Sequence, residues 1–399
     1  MDNFGKIKLK YVAYSYASAQ KQSEVFECGK YEVYGASGLV GYLNTYGADT
    51  EYIGIVKDGA GVGRAQIYKP YTSMLGTMAY IVPIDAKATN INFLKYSIDA
   101  LDLGNTAGDR ATIPHIYFSK YGNEYIASYP IIQQEKIANY LDEKCGKIDE
   151  LIANQEKQIE KLKEYKQSVI TEAVTKGLDK AAPLKDSGIE WIGEINLEHS
   201  VWKLKYLLQS PMMYGANESG EMYSENSVRY IRITDITMDS QLKDTEENLY
   251  LSTEKAQPYL LKDEDVLFAR SGGTVGKSFI YKSEYGLSAF AGYLIKAECD
   301  KEKLLPEYLF FYTQSSLYEL WKNMIFIQAT IQNIGANKYS NMEIIIPSIE
   351  GQHKILNYLK GKCGQIDSLI AIKQEKIEKL QEYKKSLIYE YVTGKKEVV

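Results

Sequence analysis

The segment of this chain that first invites a chemical reading is Ser271-Gly-Gly-Thr-Val-Gly-Lys-Ser278. A phosphate-cradling loop of the GxxxxGK[ST] type needs glycine at its first position, and serine stands at 271. An earlier stretch, Lys57-Asp-Gly-Ala-Gly-Val-Gly-Arg-Ala-Gln-Ile-Tyr68, aligns with Arg270-Ser-Gly-Gly-Thr-Val-Gly-Lys-Ser-Phe-Ile-Tyr281, and its Gly63-Arg64-Ala65 has neither the lysine nor the hydroxyl. A nucleotide loop is therefore disfavoured. The expectation is a tight turn between strands that brings Arg270 and Lys277, and likewise Lys57 and Arg64, to a nucleic-acid backbone or base edge. A structural hairpin with solvated charges fits the same residues. No catalytic set is visible. The three histidines, His115, His199 and His353, have no triad or metal spacing, and no Pro-Pro occurs, so the Asn/Asp-Pro-Pro-aromatic element of an amino-methyltransferase is missing.

Two further segments have side chains suited to binding. Lys30-Tyr-Glu-Val-Tyr-Gly-Ala-Ser-Gly38 offers Lys30, Tyr34 and Ser37, and Arg229-Tyr-Ile-Arg-Ile-Thr-Asp235 offers Arg232. Arginine forms bidentate pairs with guanine, and tyrosine, serine and threonine bond phosphates or bases. Alternation over 229–235 puts Arg229, Ile231 and Ile233 on one strand face; if that face is core, Arg232 lies on the open one. Thr112 and Thr330, with His115 and Asn333 three residues on, and Lys338 complete the candidate set. Tyrosine outnumbers phenylalanine 35 to 10. Tyrosine suits wet recognition surfaces, while codon bias or core packing explains the skew equally well.

These residues sit on elements that occur twice. The stretch Gln134–Thr175 returns as Gln352–Thr393 at an offset of 218 residues, the distance from Cys145 to Cys363. In the first copy Leu141, Cys145, Ile148, Ile152, Gln155, Ile159, Leu162, Lys166, Val169 and Ala173 follow steps of four and three. The second repeats the steps from Leu359 through Lys373 and Lys384 to Tyr391. That spacing makes a coiled-coil seam, and about forty residues at ~1.5 Å each give a rod of ~60 Å. Its interruptions, Gln155/Lys373 and Lys166/Lys384, occupy matching places, where polar residues set register. The two rods are expected to pair antiparallel.

The repeat reaches beyond the rods. Lys8-Leu-Lys-Tyr11 returns as Lys203-Leu-Lys-Tyr206, Arg110-Ala-Thr-Ile as Gln328-Ala-Thr-Ile, and Lys120-Tyr121 as Lys338-Tyr339. Each globular half reads as short strands, among them 51–56, 79–83, 230–234, 266–269 and 293–296, with a late helix at 91–101 or 306–324. Strands, helix, strands is the order of an α+β domain. The divisions expected are a head at 1–130, a helical spacer at 131–177, a linker at 178–200, a second head at 201–347 and a second spacer at 348–399.

Composition bounds the rest. A net charge of −5 argues against non-specific coating of nucleic acid. Cys28, Cys145, Cys299 and Cys363 form no close pair, which fits a reducing cytoplasm rather than a disulfide or zinc framework. No signal region or bilayer-length apolar run is present, so no membrane association is expected.

The motifs Ile137-Ala-Asn-Tyr-Leu-Asp142, Ile148-Asp-Glu-Leu-Ile152, Lys161-Leu-Lys-Glu-Tyr-Lys166 and Val174-Thr175, followed by Lys185-Asp-Ser-Gly-Ile-Glu-Trp-Ile-Gly-Glu194, resemble the specificity subunit of type I restriction–modification systems. The resemblance covers nearly the whole chain in the order globular, rod, globular, rod. It departs at the joints: Gln133-Gln134 and Gly351-Gln352 replace the usual acidic-Gln pair, and Asn196 replaces the usual proline after Glu194. The resemblance implies two target recognition domains, each reading half of a split double-stranded DNA site. It also implies helical spacers that dock two methyltransferase (modification) subunits, with restriction/translocase subunits in the full complex. AdoMet, ATP and Mg²⁺ are then expected on those partners, and this chain itself binds no cofactor or metal and catalyses nothing. Two rivals remain: a coiled-coil protein-interaction scaffold without DNA readout, and an enzyme with a degenerate nucleotide loop.

Overall fold

The computed structural model describes residues 5–59, 61–106, 114–237, 239–243, 245, 247–327 and 332–398. The chain divides into two compact units, one of residues 1–157 with 373–399 and one of residues 158–372.

In the first unit the strands are β1 (Lys6–Lys8), β2 (Ala13–Ala17), β3 (Tyr31–Gly35), β4 (Gly38–Leu43) and β5 (Tyr52–Val56). They continue with β6 (Ala65–Tyr68), β7 (Ser73–Met74), β8 (Met78–Pro83) and β9 (Tyr125–Ala127). Among the described residues three helices, α1 (Ile91–Asp99), α2 (Leu103–Thr106) and α3 (Phe118–Tyr121), lie between β8 and β9. An antiparallel sheet has the order β2-β8-β5-β6, and a second sheet, β4-β3-β7, joins β3 to β7 in parallel. Asn90 caps α1 by accepting the Phe93 amide at 2.9 Å. From there α1 has two apolar faces. Leu94 and Ile98 pack with Ile53, Ile55 and Ile81 of the sheet, and Phe93 and Tyr96 pack with Ile137, Leu141, Cys145, Leu387 and Val392 of the long helices. The helix thereby fastens the sheet to the rod.

The long helices are α4 (Ile131–Lys176, 46 residues) and, at the end of the chain, a partner of 44 residues over Ile349–Val392. After α4 come β10 (Leu184–Asp186), β11 (Glu194–Asn196), β12 (Ser200–Lys203), β13 (Met213–Tyr214), β14 (Ser227–Ile231) and β15 (Leu249–Ser252). Next are α5 (Thr253–Ala256), β16 (Val266–Ala269), β17 (Ser278–Ile280), β18 (Ser288–Phe290) and β19 (Leu294–Ala297). The second head closes with α6 (Pro306–Tyr312), α7 (Ser316–Ile327), α8 (Ala336–Ser340), β20 (Glu343–Ile346) and then the long helix α9 (Ile349–Val392). Its sheets, β13-β19-β16-β17 and β15-β14-β18, repeat those of the first head, including one parallel pair, β14 with β18. The edge pair β1-β9 likewise returns as β12-β20. The internal repeat is thus one of topology as well as of sequence, and the class is α+β.

The seam shows how the rods pair. In the first unit Gln155 meets Lys373, Asp149 meets Lys384, and Tyr140 meets Tyr391, whose hydroxyls lie 3.0 Å apart. Numbers rise on one helix as they fall on the other, so the two run antiparallel. In the second unit Lys166 Nζ reaches both Asp367 oxygens at 2.7 Å, and in the first Lys384 does the same to Asp149 at 2.6 and 2.7 Å. These are the same contact with the helices exchanged. The lysines that interrupt the apolar stripe are therefore latches: a slip of one turn would strand both charges, which is how a polar seam residue sets register.

A buried glutamine joins each head to its rod. Gln134 accepts the Asn90 amide at 2.9 Å and donates to Ala88 O and Tyr129 O at 3.0 and 2.8 Å. Gln352, fully buried, accepts the Leu305 amide at 2.9 Å and donates to Lys303 O and Pro347 O at 2.8 and 3.2 Å. At the far end of α4, Gly177 takes a left-handed φ of 77° and Asn196 Nδ2 donates to Lys176 O at 2.9 Å. Asn196 thus caps the helix, beside His199 Nδ1 at 3.2 Å from Thr175 O. Burial lowers the His199 pKa, so the neutral ring serves as donor there.

Three sequence readings shift. The strand expected at 230–234 ends at Ile231 and gives way to a 3-10 turn at Ile233–Asp235. Val228, Tyr230 and Ile231 are all buried, so alternation does not sort its faces. The helix expected at 306–324 is two helices, because Ser315 Oγ caps the second by accepting the Tyr318 amide at 3.3 Å.

Candidate nucleic-acid interface

The glycine-rich segments are equivalent β-turn loops, one between β5 and β6 and the other between β16 and β17. Gly63 N–H donates to Val56 O at 2.8 Å and Val56 N–H to Arg64 O at 3.0 Å; Gly276 donates to Ala269 O at 2.9 Å and Ala269 to Lys277 O at 2.8 Å. Gly59 and Gly63 have φ of 94° and 85°, and Gly272 and Gly276 have 78° and 83°. Glycine is required at these turns because a side chain resists positive φ. The next element along the chain decides each loop's chemistry. A phosphate loop delivers its ligand to a helix N-terminus, whereas here an antiparallel strand returns, with Phe268 opposite Ser278. This is the tight turn between strands expected from the sequence.

In the first head the loop brings three candidates together. Arg64 Nη2 donates to Ala36 O in the β3–β4 turn, next to exposed Ser37, and Tyr34 stands on β3 just before that turn. The Tyr34 hydroxyl donates to Glu32 Oε2 at 2.6 Å, and that bond, with burial, pushes its pKa to about 12. Lys57 is held by Asp58 at 3.1 Å, and the other Asp58 oxygen meets His115 Nδ1 at 2.6 Å. Burial raises the Asp58 pKa, but the bonds from His115 and Lys57 outweigh it and leave it below the usual carboxylate range. Lys30 is apart from this group, with Nζ 5.1 Å from the Tyr31 ring centre. That ring begins an edge-to-face run through Tyr46 and Tyr71, at 5.2 and 5.1 Å.

In the second head Arg270 and Lys277 flank the loop. The Arg270 guanidinium lies 4.9 Å from the Tyr214 ring centre, and the Tyr214 hydroxyl accepts the Ala336 amide at 2.9 Å. This contact brings α8, which carries exposed Lys338, to the same place. Lys277 Nζ reaches Thr237 O at 3.4 Å, and burial, with Lys322 nearby, lowers its pKa. Arg232 behaves differently. Its Nη2 and Nε reach the two Asp235 oxygens at 2.8 and 3.1 Å, and its side chain is 32% exposed. The expectation of an open Arg232 on a solvent face is corrected: strand and alternation both stop before it, and a carboxylate holds its fork. Thr112 and Thr330 lie outside the described residues. Tyr214 escaped the sequence reading because 56 residues separate it from Arg270 and no motif marks it.

Among the described residues no group of three or more His, Cys, Asp or Glu side chains is arranged to hold a metal ion, and no helix is long and apolar enough to cross a membrane. Two heads of one topology, each fastened by a glutamine to antiparallel long helices, define a doubled α+β architecture. Residues 215–382 match the family model described as the type I restriction modification DNA specificity domain. The type I restriction enzyme MjaVIII specificity subunit of Methanocaldococcus jannaschii is 27% identical over 291 residues, 71% of this chain and 64% of that protein. The StySPI specificity subunit of Salmonella potsdam is 22% identical over 288 residues, 71% of this chain and 59% of that protein. The matches thus span about three fifths of those relatives' length. A chain from a solved structure concerned with assembly and conformational transition of the type I R-M system shares the fold, with a TM-score of 0.68 at 12% identity over 99% of this chain and 98% of that one. Over about seven tenths of its length the chain is thus similar to specificity subunits of type I restriction–modification systems.

Proposed function

We propose that this chain reads a bipartite duplex DNA site, one half with each head, and carries methyltransferase and restriction subunits on its helices without catalysing a reaction itself. The observation that carries the reading is the contrast between rods and heads. The rods repeat the Lys–Asp latch with the helices exchanged, while the two glycine loops keep one backbone and differ in side chains. A shared spacer with unlike reading surfaces is what a split, asymmetric target asks for. Base and phosphate contacts fall to Lys30, Tyr34, Ser37 and Arg64 in the first head and to Arg270, Lys277 and Lys338 in the second. Lys57 and Arg232 must first exchange a carboxylate for DNA.

The helices also display a repeated surface. Leu151 and its equivalent Leu369 are 46% and 47% exposed, and Tyr165 and its equivalent Tyr383 are 49% and 57% exposed. Each unit therefore shows one such leucine and one such tyrosine, which suits docking of two copies of one partner. AdoMet, ATP and Mg²⁺ belong to those partners. In a competition gel-shift with methyltransferase subunits present, a bipartite duplex should outcompete random duplex by at least ~10³-fold, the usual lower end of specific over non-specific binding. Equal affinity for all duplexes would exclude DNA readout and leave a protein-interaction scaffold.

A further inference from the structure

We infer that Arg270, held on the ring of Tyr214, is the guanine-reading residue of the second head. The inference rests on the DNA-reading role proposed above and goes further by assigning one base to one side chain.

The other cations of this head whose contacts are described have an oxygen partner from the protein. Arg232 is bound to Asp235, Lys262 to Glu298, Lys301 to Glu264, and Lys282 lies beside Glu264 and Glu307. Arg229 donates to Lys243 O, and Lys243 Nζ to Thr234 O. Arg270 instead rests on an aromatic face, and its Nε is buried with no hydrogen-bond partner. Two oxygen atoms of nearby chain segments are in the same state. Thr274 Oγ1 lies in the same loop, and Asn333 Oδ1 belongs to the residue before Ile334, whose amide donates to Arg270 O at 2.9 Å. Buried polar groups without partners are uncommon and costly, and they gather where a site awaits its ligand.

The stacking supplies what base reading needs. A guanidinium held over a ring has fewer orientations open to it, so less freedom is lost when its fork meets two acceptors. The ring is itself fixed by the Ala336 amide on its hydroxyl. Guanine presents two acceptors, O6 and N7, at the spacing of that fork in the major groove. Lysine cannot replace the residue, because a point charge offers neither a plane nor a fork. The equivalent residue of the first head, Lys57, is such a charge and lies against Asp58, so the two heads differ here in side chain on a common loop.

The test is selection of bound sequences from a random duplex library by the full-length chain with its methyltransferase partners, comparing wild type with Arg270→Lys, Tyr214→Phe and Tyr214→Leu. Arg270→Lys should lower the preference for guanine at one position of one half-site by roughly 10-fold or more, the scale of a bidentate base contact, with the other half unchanged. Tyr214→Leu should weaken the same position alone, as a positioning residue must, and Tyr214→Phe, which keeps the ring, should weaken it less. An unaltered sequence preference in Arg270→Lys would overturn the assignment while bipartite reading stood. So would a uniform loss at every position in Tyr214→Leu. A wild-type chain that selects no sequence would overturn the DNA-reading role, and the assignment with it.

Discussion

Replacing Gln352 by alanine should destabilise the second unit by about 3 kcal/mol, since it leaves three buried backbone groups unpaired at roughly 1 kcal/mol or more each. Those groups are the Leu305 amide and the Lys303 and Pro347 carbonyls, all now bonded to a side chain with no solvent exposure. The effect should be local. Hydrogen exchange of the Leu305 amide should accelerate about 100-fold, the equivalent of that free energy, while amides of the first head change little. Gln352→Glu, which sets a buried carboxyl against two carbonyl oxygens, should cost at least as much as alanine. A loss below 1 kcal/mol in the alanine variant would show that the head is held to its rod by apolar packing alone. Gln134→Ala should repeat the result in the first unit, slightly reduced because Gln134 is 7% exposed.

Exchanging residues 1–130 for the corresponding head of a type I specificity subunit should alter one half of the recognised sequence and leave the other intact. The junction tolerates this because the partners of Gln134 are backbone atoms, Ala88 O, Asn90 N and Tyr129 O, which any head of this fold supplies. The side-chain contacts to preserve are Tyr96 and Asn92 with Asp142, at 2.7 and 3.2 Å. Each mismatched base pair costs ~1–3 kcal/mol, so a half-site of even three pairs should switch preference by at least ~10²-fold. The recognised sequence of the chimera, read from the positions methylated in cells, checks this. Change in both halves would refute independent heads.

How much of this was legible in the sequence depended on how far apart the deciding residues lie. The rods were readable because a coiled-coil seam is written in local spacing, and the observed α4 and α9 begin three residues before Gln134 and Gln352. The seam interruptions were visible too, but their partners were not: Lys384 finds Asp149 across 235 residues. Strand 266–269 appeared as expected since it is apolar throughout. Strand 230–234 did not, since both its faces are buried and the Arg232–Asp235 pair turns the chain out of extended geometry. The glycine loops were recognised as a near-miss phosphate motif, and only the strand after each one settled their nature. Site residues were the least legible. Charge type identifies Arg232 and Arg270 alike, but one meets Asp235 and the other Tyr214, and tertiary packing alone distinguishes a cation held by a carboxylate from one held over a ring.

The most direct measurement of the central claim is methylome sequencing of cells that carry the system with this chain intact. The account predicts one methylated motif with two specified halves separated by a fixed run of unspecified bases, as two heads on a register-locked pair of helices require. A motif that is continuous, or whose gap varies from site to site, would contradict it.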